Sequence, residues 1–269
     1  MTIPMEPRTP RLYHVREGSA SSATFTAFGS VGVVCAATAT MLVGAVIAAS
    51  LGAPVMVTAV VGQALMLAVP FAAMRGSGRT RDALGLKRPR ANRYYAAALL
   101  IGASAWYLNM RLVEALPLRD EDVQLLDLID RPSVPVVLFA VALAPAICEE
   151  VLFRGVLVRG LATRFFPLVA ILAGALVFSL YHLRIVQLVP TFTLGLLLGF
   201  LALRADSAVP GMIAHFVNNA IALVVARGDA PPIASAFGHH PNVAVVGCGI
   251  ATTLGLVLAT GWRPPERAT

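Results

Sequence analysis

The sequence predicts an all-α polytopic membrane protein, a bundle of about eight transmembrane helices with a cytoplasmic N-terminus. Three observations carry this. Hydrophobic residues make up 58% of the 269 and charged residues only 13%, with a mean hydropathy of +0.78, whereas soluble chains average about 25% charged and roughly 45–50% apolar residues. The apolar residues gather into runs of about 17–25, the length that crosses a bilayer. The basic residues fall in the loops between runs, so the net charge of +7 follows the positive-inside pattern and implies no nucleic-acid partner.

The first predicted span covers residues 24–51 and the second 53–74, joined by a tight turn at Gly52-Ala53-Pro54. Residues 75–93 follow, with Arg75, Arg79, Arg81, Lys87, Arg88, Arg90 and Arg93 against a single acid, Asp82. This segment is the strongest orientation signal and is assigned to the cytoplasm. The third span covers 94–110, with Tyr94, Tyr95, Trp106 and Tyr107 as interfacial anchors. Residues 111–131 form an acidic outer loop in which Val123, Leu125, Leu126, Leu128 and Ile129 suggest a short interfacial helix.

The fourth span runs from residue 133 through Glu149 toward Arg159. The fifth covers 165–185, the sixth 188–203, the seventh 207–226 and the eighth 242–262. Eight spans put both tails on one side, together with the basic loop, residues 154–164 and the turn at Arg204. The acidic loop and a loop holding His239-His240, to which no function is assigned, fall on the other. The chain thus divides into a tail (1–23), N-terminal spans (24–131), a polar-rich region (132–227), and a final loop, span and tail (228–269).

Residues 1–17 show no short apolar run ending in a cleavage site, so a cytoplasmic tail is expected in place of a cleaved leader. Cys35, Cys148 and Cys248 lie far apart in apolar runs. They indicate neither a disulfide framework nor a thiolate zinc site, and are read as small buried hydrophobes. Lys87 is the single lysine, and the Arg- and Ala-rich usage points to a GC-rich bacterial source and a plasma-membrane location.

Chemistry concentrates between residues 149 and 219. Cys148-Glu149-Glu150-Val151-Leu152-Phe153-Arg154 places two carboxylates and a guanidinium in an apolar run, where each costs roughly 2.5–3.5 kcal/mol on insertion scales and so marks a functional site by default. Glu150 and Arg154 are four apart and can pair on one helix face. Glu149 is turned away by about 100°, has no such local partner, and is free for chemistry. Phe178-Ser179-Leu180-Tyr181-His182 lies in the fifth span, and His215-Phe216-Val217-Asn218-Asn219 in the seventh, with His215 and Asn219 on one face. Taken singly, each histidine has a plainer role as an interhelical hydrogen-bonder, and His182 could also sit at the membrane interface. Gln63 and Asn109 are read as interhelical contacts, and Gly195 with Gly199 as a close-packing seam.

Glu-Glu-x-x-x-Arg, then Phe-x-x-x-His, then His-x-x-x-Asn, on separate spans and in that order, resembles the CAAX-protease and bacteriocin-processing (CPBP, or Abi) family of intramembrane proteases. The segments Leu194-Gly195-Leu196-Leu197-Leu198-Gly199 and Asp206-Ser207-Ala208-Val209-Pro210-Gly211 also look like that family. The likeness covers roughly residues 133–226 and leaves residues 1–131 unmatched beyond their apolar spans.

The resemblance implies an intramembrane endopeptidase in which Glu149 and His182 hold and deprotonate a water. His215 and Asn219 would donate to the oxyanion, and Glu150 with Arg154 would brace the helix. Such a division suits peptide hydrolysis, which needs an activated water and preorganised donors. A low-dielectric pocket also strengthens a carboxylate as a base. No cofactor is expected. The alternative within the family is a zinc enzyme with Glu149, His182 and His215 as ligands, although the contiguous H-E-x-x-H pattern is absent. The expected partners are the bilayer and a membrane-embedded or lipid-associated peptide or protein. For a bacterial chain, bacteriocin maturation or self-immunity fits better than a prenylated substrate. Two other classes remain: a non-proteolytic immunity scaffold, and an ion-coupled transporter with Glu149 in a relay. The second is disfavoured by the absence of matched halves.

Overall fold

The computed structural model describes residues 25–116 and 132–261. Within them the chain is helical, with α1 (Ala27–Ser50), α2 (Val55–Ala73), a single turn α3 (Thr80–Ala83), α4 (Arg93–Ala115), α5 (Val134–Leu161), α6 (Pro167–Tyr181), α7 (Ile185–Ala205), α8 (Val209–Ala226), α9 (Pro231–His239) and α10 (Pro241–Thr260). Seven of these are long and apolar enough to cross a membrane, and α6 is a shorter apolar helix. The protein is an all-α polytopic membrane bundle. The N-terminal tail, most of the acidic loop with its expected interfacial helix, and the C-terminal tail lie outside the described residues.

Helix α5 is the axis of the bundle. It is the most enclosed of the long helices, contacts α1, α2, α6, α7 and α8, and carries Leu152, Phe153 and Leu157 into a core with Met66 and Phe178. Peripheral helices present one face to lipid instead, which accounts for exposed Val46, Leu172 and Val246. Cys148 and Cys248 are buried, but Cys35 is exposed on such a face of α1, contrary to its expected burial.

Glycines set the closest approaches. A Cβ on Gly102 of α4 would come within 2.5 Å of the Ala214 carbonyl oxygen of α8, and one on Gly155 of α5 within 2.2 Å of the Leu84 carbonyl oxygen. On α7, Gly195 and Gly199 face Ala175 and Ile171 of α6, so the predicted seam joins these two helices.

Three elements depart from the sequence-based expectation. Helix α4 runs to Ala115, five residues past the predicted span, with Arg111 paired to Glu114 on its last turns. Residues 231–239 form α9 where a loop was expected, because Phe237 docks on Trp106 and Tyr107 with ring centroids 5.1 and 4.7 Å apart. Helix α6 stops after 15 residues, about 22 Å at 1.5 Å per residue, against a hydrocarbon core of about 30 Å. The chain turns back there through Leu183, which adopts a left-handed φ of 54°.

The basic loop is folded onto the ends of α5, α7 and α8. Asp206 caps α7 in the left-handed region at φ 52°, a conformation that Asp tolerates better than most residues. Its carboxylate accepts from Lys87 (2.7 Å), Arg90 (3.2 Å) and Arg159 (3.4 Å). Backbone bonds from Ala208 N–H to Gly85 O (2.8 Å) and from Arg90 N–H to Ala205 O (3.1 Å) close the clamp.

Candidate active site

Helix α5 is wound unusually where it carries the polar motif. Its turns are π-helical over Leu138–Leu143 and again over Glu150–Val158, with an α-helical stretch, Ala144–Glu149, between them. Pro145 accounts for the first: it offers no N–H and its ring crowds the carbonyl four residues back, and a wider turn relieves both. The second begins at Glu150 itself, and π-turns of this kind recur at functional sites.

The structure brings the two carboxylates, Arg154 and His215 together. Glu149, Glu150, Arg154 and His215 are all at most 4% exposed. Glu150 Oε1 accepts from Arg154 Nη1 (2.7 Å) and lies 3.0 Å from His215 Nδ1. The other ring nitrogen, His215 Nε2, lies 4.0 Å from Glu149 Oε2. Glu150 pairs with Arg154 as the i to i+4 spacing predicts, Glu149 has no partner on its own helix, and one imidazole from α8 stands between both carboxylates. Its approach depends on Gly211, one turn earlier on α8, where a Cβ would lie 2.6 Å from Glu150 Oε2. The Arg154 guanidinium also stacks on the Phe178 ring, 4.1 Å from its centroid.

His182 is half-buried and stands apart from that array. Its Nδ1 lies 2.8 Å from the Phe178 carbonyl oxygen, one of the carbonyls left open at the end of α6. A carbonyl can only accept, so Nδ1 carries a proton. Among the described residues no hydrogen bond joins His182 to Glu149 or His215. The Phe178 ring lies against both imidazoles, edge to face, with centroids 4.8 Å from His182 and 5.9 Å from His215. Asn219 accepts from Asn218 Nδ2 at 3.1 Å, which occupies its carbonyl end and leaves its amide N–H groups to donate.

Gln63, read from the sequence as an interhelical contact, joins α2 to α5. Gln63 Nε2, from α2, donates to Glu149 Oε1 at 3.1 Å. A lone polar residue in an apolar span was the only available signal, and it could not name the partner. Asn109, read in the same way, does join helices: it donates to Pro190 O at 3.3 Å and accepts from Thr193 at 2.5 Å.

Unsatisfied hydrogen-bonding capacity is concentrated here. Among the described residues, the buried side-chain polar atoms without a partner are Gln63 Oε1, Glu150 Oε2, Arg154 Nη2 and Asn218 Oδ1. All four belong to the residues of this array or their immediate neighbours. Such atoms cost roughly 1–3 kcal/mol each and are otherwise rare in folded proteins. No three His, Cys, Asp or Glu side chains among the described residues form a metal-holding group, so Glu149, His182 and His215 are not gathered as one ligand set in this conformation.

Residues 131–221 match the family model described as Rce1-like: Type II CAAX prenyl endopeptidase Rce1-like. The match covers about a third of the chain and spans Glu149, Glu150, Arg154, His182, His215 and Asn219, in the family that the motifs resemble. It supports intramembrane protease activity, with a peptide substrate and a lipid bilayer as surroundings. Gln63 lies outside the matched segment. No curated protein and no solved structure matches the chain.

Proposed function

We propose that this integral membrane protein hydrolyses a peptide bond of a membrane-associated peptide or protein, using a water activated by Glu149 and no resident metal. The observation that carries the proposal is the cluster of partnerless buried polar atoms around the Glu149–His215–Glu150 array. A packing core would have satisfied or eliminated them, whereas a site keeps them for a ligand.

The residues divide the work as follows. Glu149 is the general base, and the neutral Nε2 of His182 accepts from the same water and orients it. In this scheme His215 acts as an imidazolium. Two carboxylates and Arg154 sum to one negative charge, and burying an uncompensated charge is expensive. An imidazolium at His215 neutralises the array, with Nδ1–H held by Glu150 and Nε2–H left to donate.

As Glu149 takes a proton from the water, the water oxygen bonds to the substrate carbonyl carbon and the carbonyl π pair moves to oxygen. The oxyanion is stabilised by His215 Nε2–H and Asn219 Nδ2–H. Glu149 then returns the proton to the amide nitrogen as the C–N bond breaks and the carbonyl reforms. The products are a carboxylic acid and an amine.

The test uses the full chain in liposomes. Wild type, Glu149→Ala, His182→Ala and His215→Ala are offered a membrane-peptide library and a prenylated C-terminal CAAX peptide. Cleavage by wild type and a loss of about 10²–10⁴-fold in each variant are expected. Equal behaviour of all four proteins refutes the protease. Activity is expected to survive a strong chelator; loss on chelation with recovery on adding Zn²⁺ would replace the metal-free route by the zinc one. Cleavage of the unprenylated peptides is the expected preference.

A further inference from the structure

Among the described residues, Gln63 makes the one hydrogen bond that Glu149 receives from outside the region matched to the family, and its geometry is not that of a packing contact. Its Nε2 donates to Glu149 Oε1 at 3.1 Å across 86 positions of sequence. Its Oε1 is buried without a hydrogen-bond partner among the described residues. The alternative amide orientation would set an oxygen against a carboxylate oxygen, so the assignment follows from chemistry. An interhelical amide retained only for adhesion would use both ends, because an orphaned buried carbonyl costs roughly 1–3 kcal/mol. Gly62, beside it, brings α2 close to α1, where a Cβ would lie 3.2 Å from Met41 Cγ. The Tyr181 hydroxyl lies within hydrogen-bonding reach of the Gln63 side chain and donates to Met41 Sδ at 2.7 Å. The amide is thus met from α6 as well as from α5.

We infer that Gln63 is a positioning residue of the peptidase: its Nε2–H fixes the carboxylate of Glu149, and its free Oε1 is a further acceptor for the attacking water. Glu149 takes one hydrogen of that water while the other is shared between His182 Nε2 and Gln63 Oε1 in a three-centre bond, so the oxygen lone pair is aimed at the substrate carbonyl. The inference rests on the protease reading and extends its machinery to α2.

Two variants test it in liposomes against whichever peptide wild type cleaves. Gln63→Met keeps the length and removes both hydrogen-bonding ends. Its kcat is expected to fall about 10–100-fold, the usual scale for outer-shell partners, with KM within about threefold and an unchanged thermal midpoint. Gln63→Glu supplies an internal rescue. As pH falls, two adjacent carboxylates hold one proton between them, and the protonated side chain donates to Glu149 while keeping a carbonyl acceptor. Relative to wild type, Gln63→Glu is therefore expected to gain activity toward acid, whereas Gln63→Met stays depressed across the range. Full kcat in Gln63→Met, a loss confined to KM, or the absence of any acid-side gain in Gln63→Glu overturns the inference. A wild type that cleaves nothing overturns the protease reading, and this inference with it; an active wild type with an indifferent Gln63→Met overturns this inference alone.

Discussion

Gly211 carries no side chain because Glu150 occupies the space that one would need. The carboxylate cannot easily yield, being held by Arg154 at 2.7 Å and by His215 at 3.0 Å. Gly211→Ala, whose Cβ would lie 2.6 Å from Glu150 Oε2, is expected to lower stability by about 1–3 kcal/mol, as overpacking does. Because the displaced group orients His215, turnover should fall by more than about tenfold, or ~1.4 kcal/mol in the transition state. Thermal unfolding and peptide cleavage on the same preparation check this; a destabilised but fully active variant would detach Glu150 from catalysis. At this scale the sequence was partly legible. Glu149, Glu150 and Arg154 are conspicuous because charge in an apolar run is costly, and i to i+4 spacing predicts the Glu150–Arg154 pair. That His215 faces both carboxylates depends on how α8 is rotated against α5, across 65 positions, and no local pattern encodes that.

Among the elements, α5 was legible as a span but not in its winding. Pro145 is visible in the sequence, yet the wider turns beyond Glu150 have no local signature. Helix α6 was overestimated for a related reason: Leu183 and Ile185 extend the hydrophobic pattern past Tyr181, but the backbone reverses at Leu183. His182 consequently caps a short helix. The packing of α5 against the basic loop gives the test at this scale. Gly155→Ala would drive a Cβ to 2.2 Å from Leu84 O and 2.9 Å from Leu84 C, both backbone atoms that cannot rotate away. A loss of at least about 1–3 kcal/mol is expected, together with faster proteolysis within residues 75–93. An unchanged cleavage pattern would show that this contact does not anchor the loop.

Across the whole molecule, the clamp at Asp206 joins the basic loop to α5 and to the α7–α8 turn. Burial alone would push its carboxyl upward, but the Lys87 hydrogen bond and the charges of Arg159, Lys87 and Arg90 outweigh it and hold the group below its ordinary value. A carboxylate depressed in this way stabilises the folded state above the unfolded-state value of about 4, and the contribution disappears as pH falls through the lower folded-state value. Asp206→Asn is therefore expected to lower the thermal midpoint at pH 7, with the gap from wild type closing as pH falls below the ordinary carboxylate value of about 4. A gap that stays constant over that range would mean the clamp is not electrostatic. Charge patterning made the loop legible as one face of the membrane protein, whereas its attachment to Asp206, 119 positions away from Lys87, was not.

Synthesis order gives the contact between Gln63 and Glu149 one more consequence. His215 lies 65 positions after Glu150, which at about 5–20 residues per second is roughly 3–13 s of translation. Throughout that interval α5 exists without its imidazole. Glu150 has Arg154 one turn onward in the same helix, so the two can enter the membrane as a neutral pair. Glu149 has no such neighbour, but Gln63 was made 86 positions earlier and already stands in the α1–α2 hairpin. The amide that holds the carboxylate in the finished bundle is thus also the partner that can shelter it while the bundle is incomplete, and His215 is the last of these groups to be delivered.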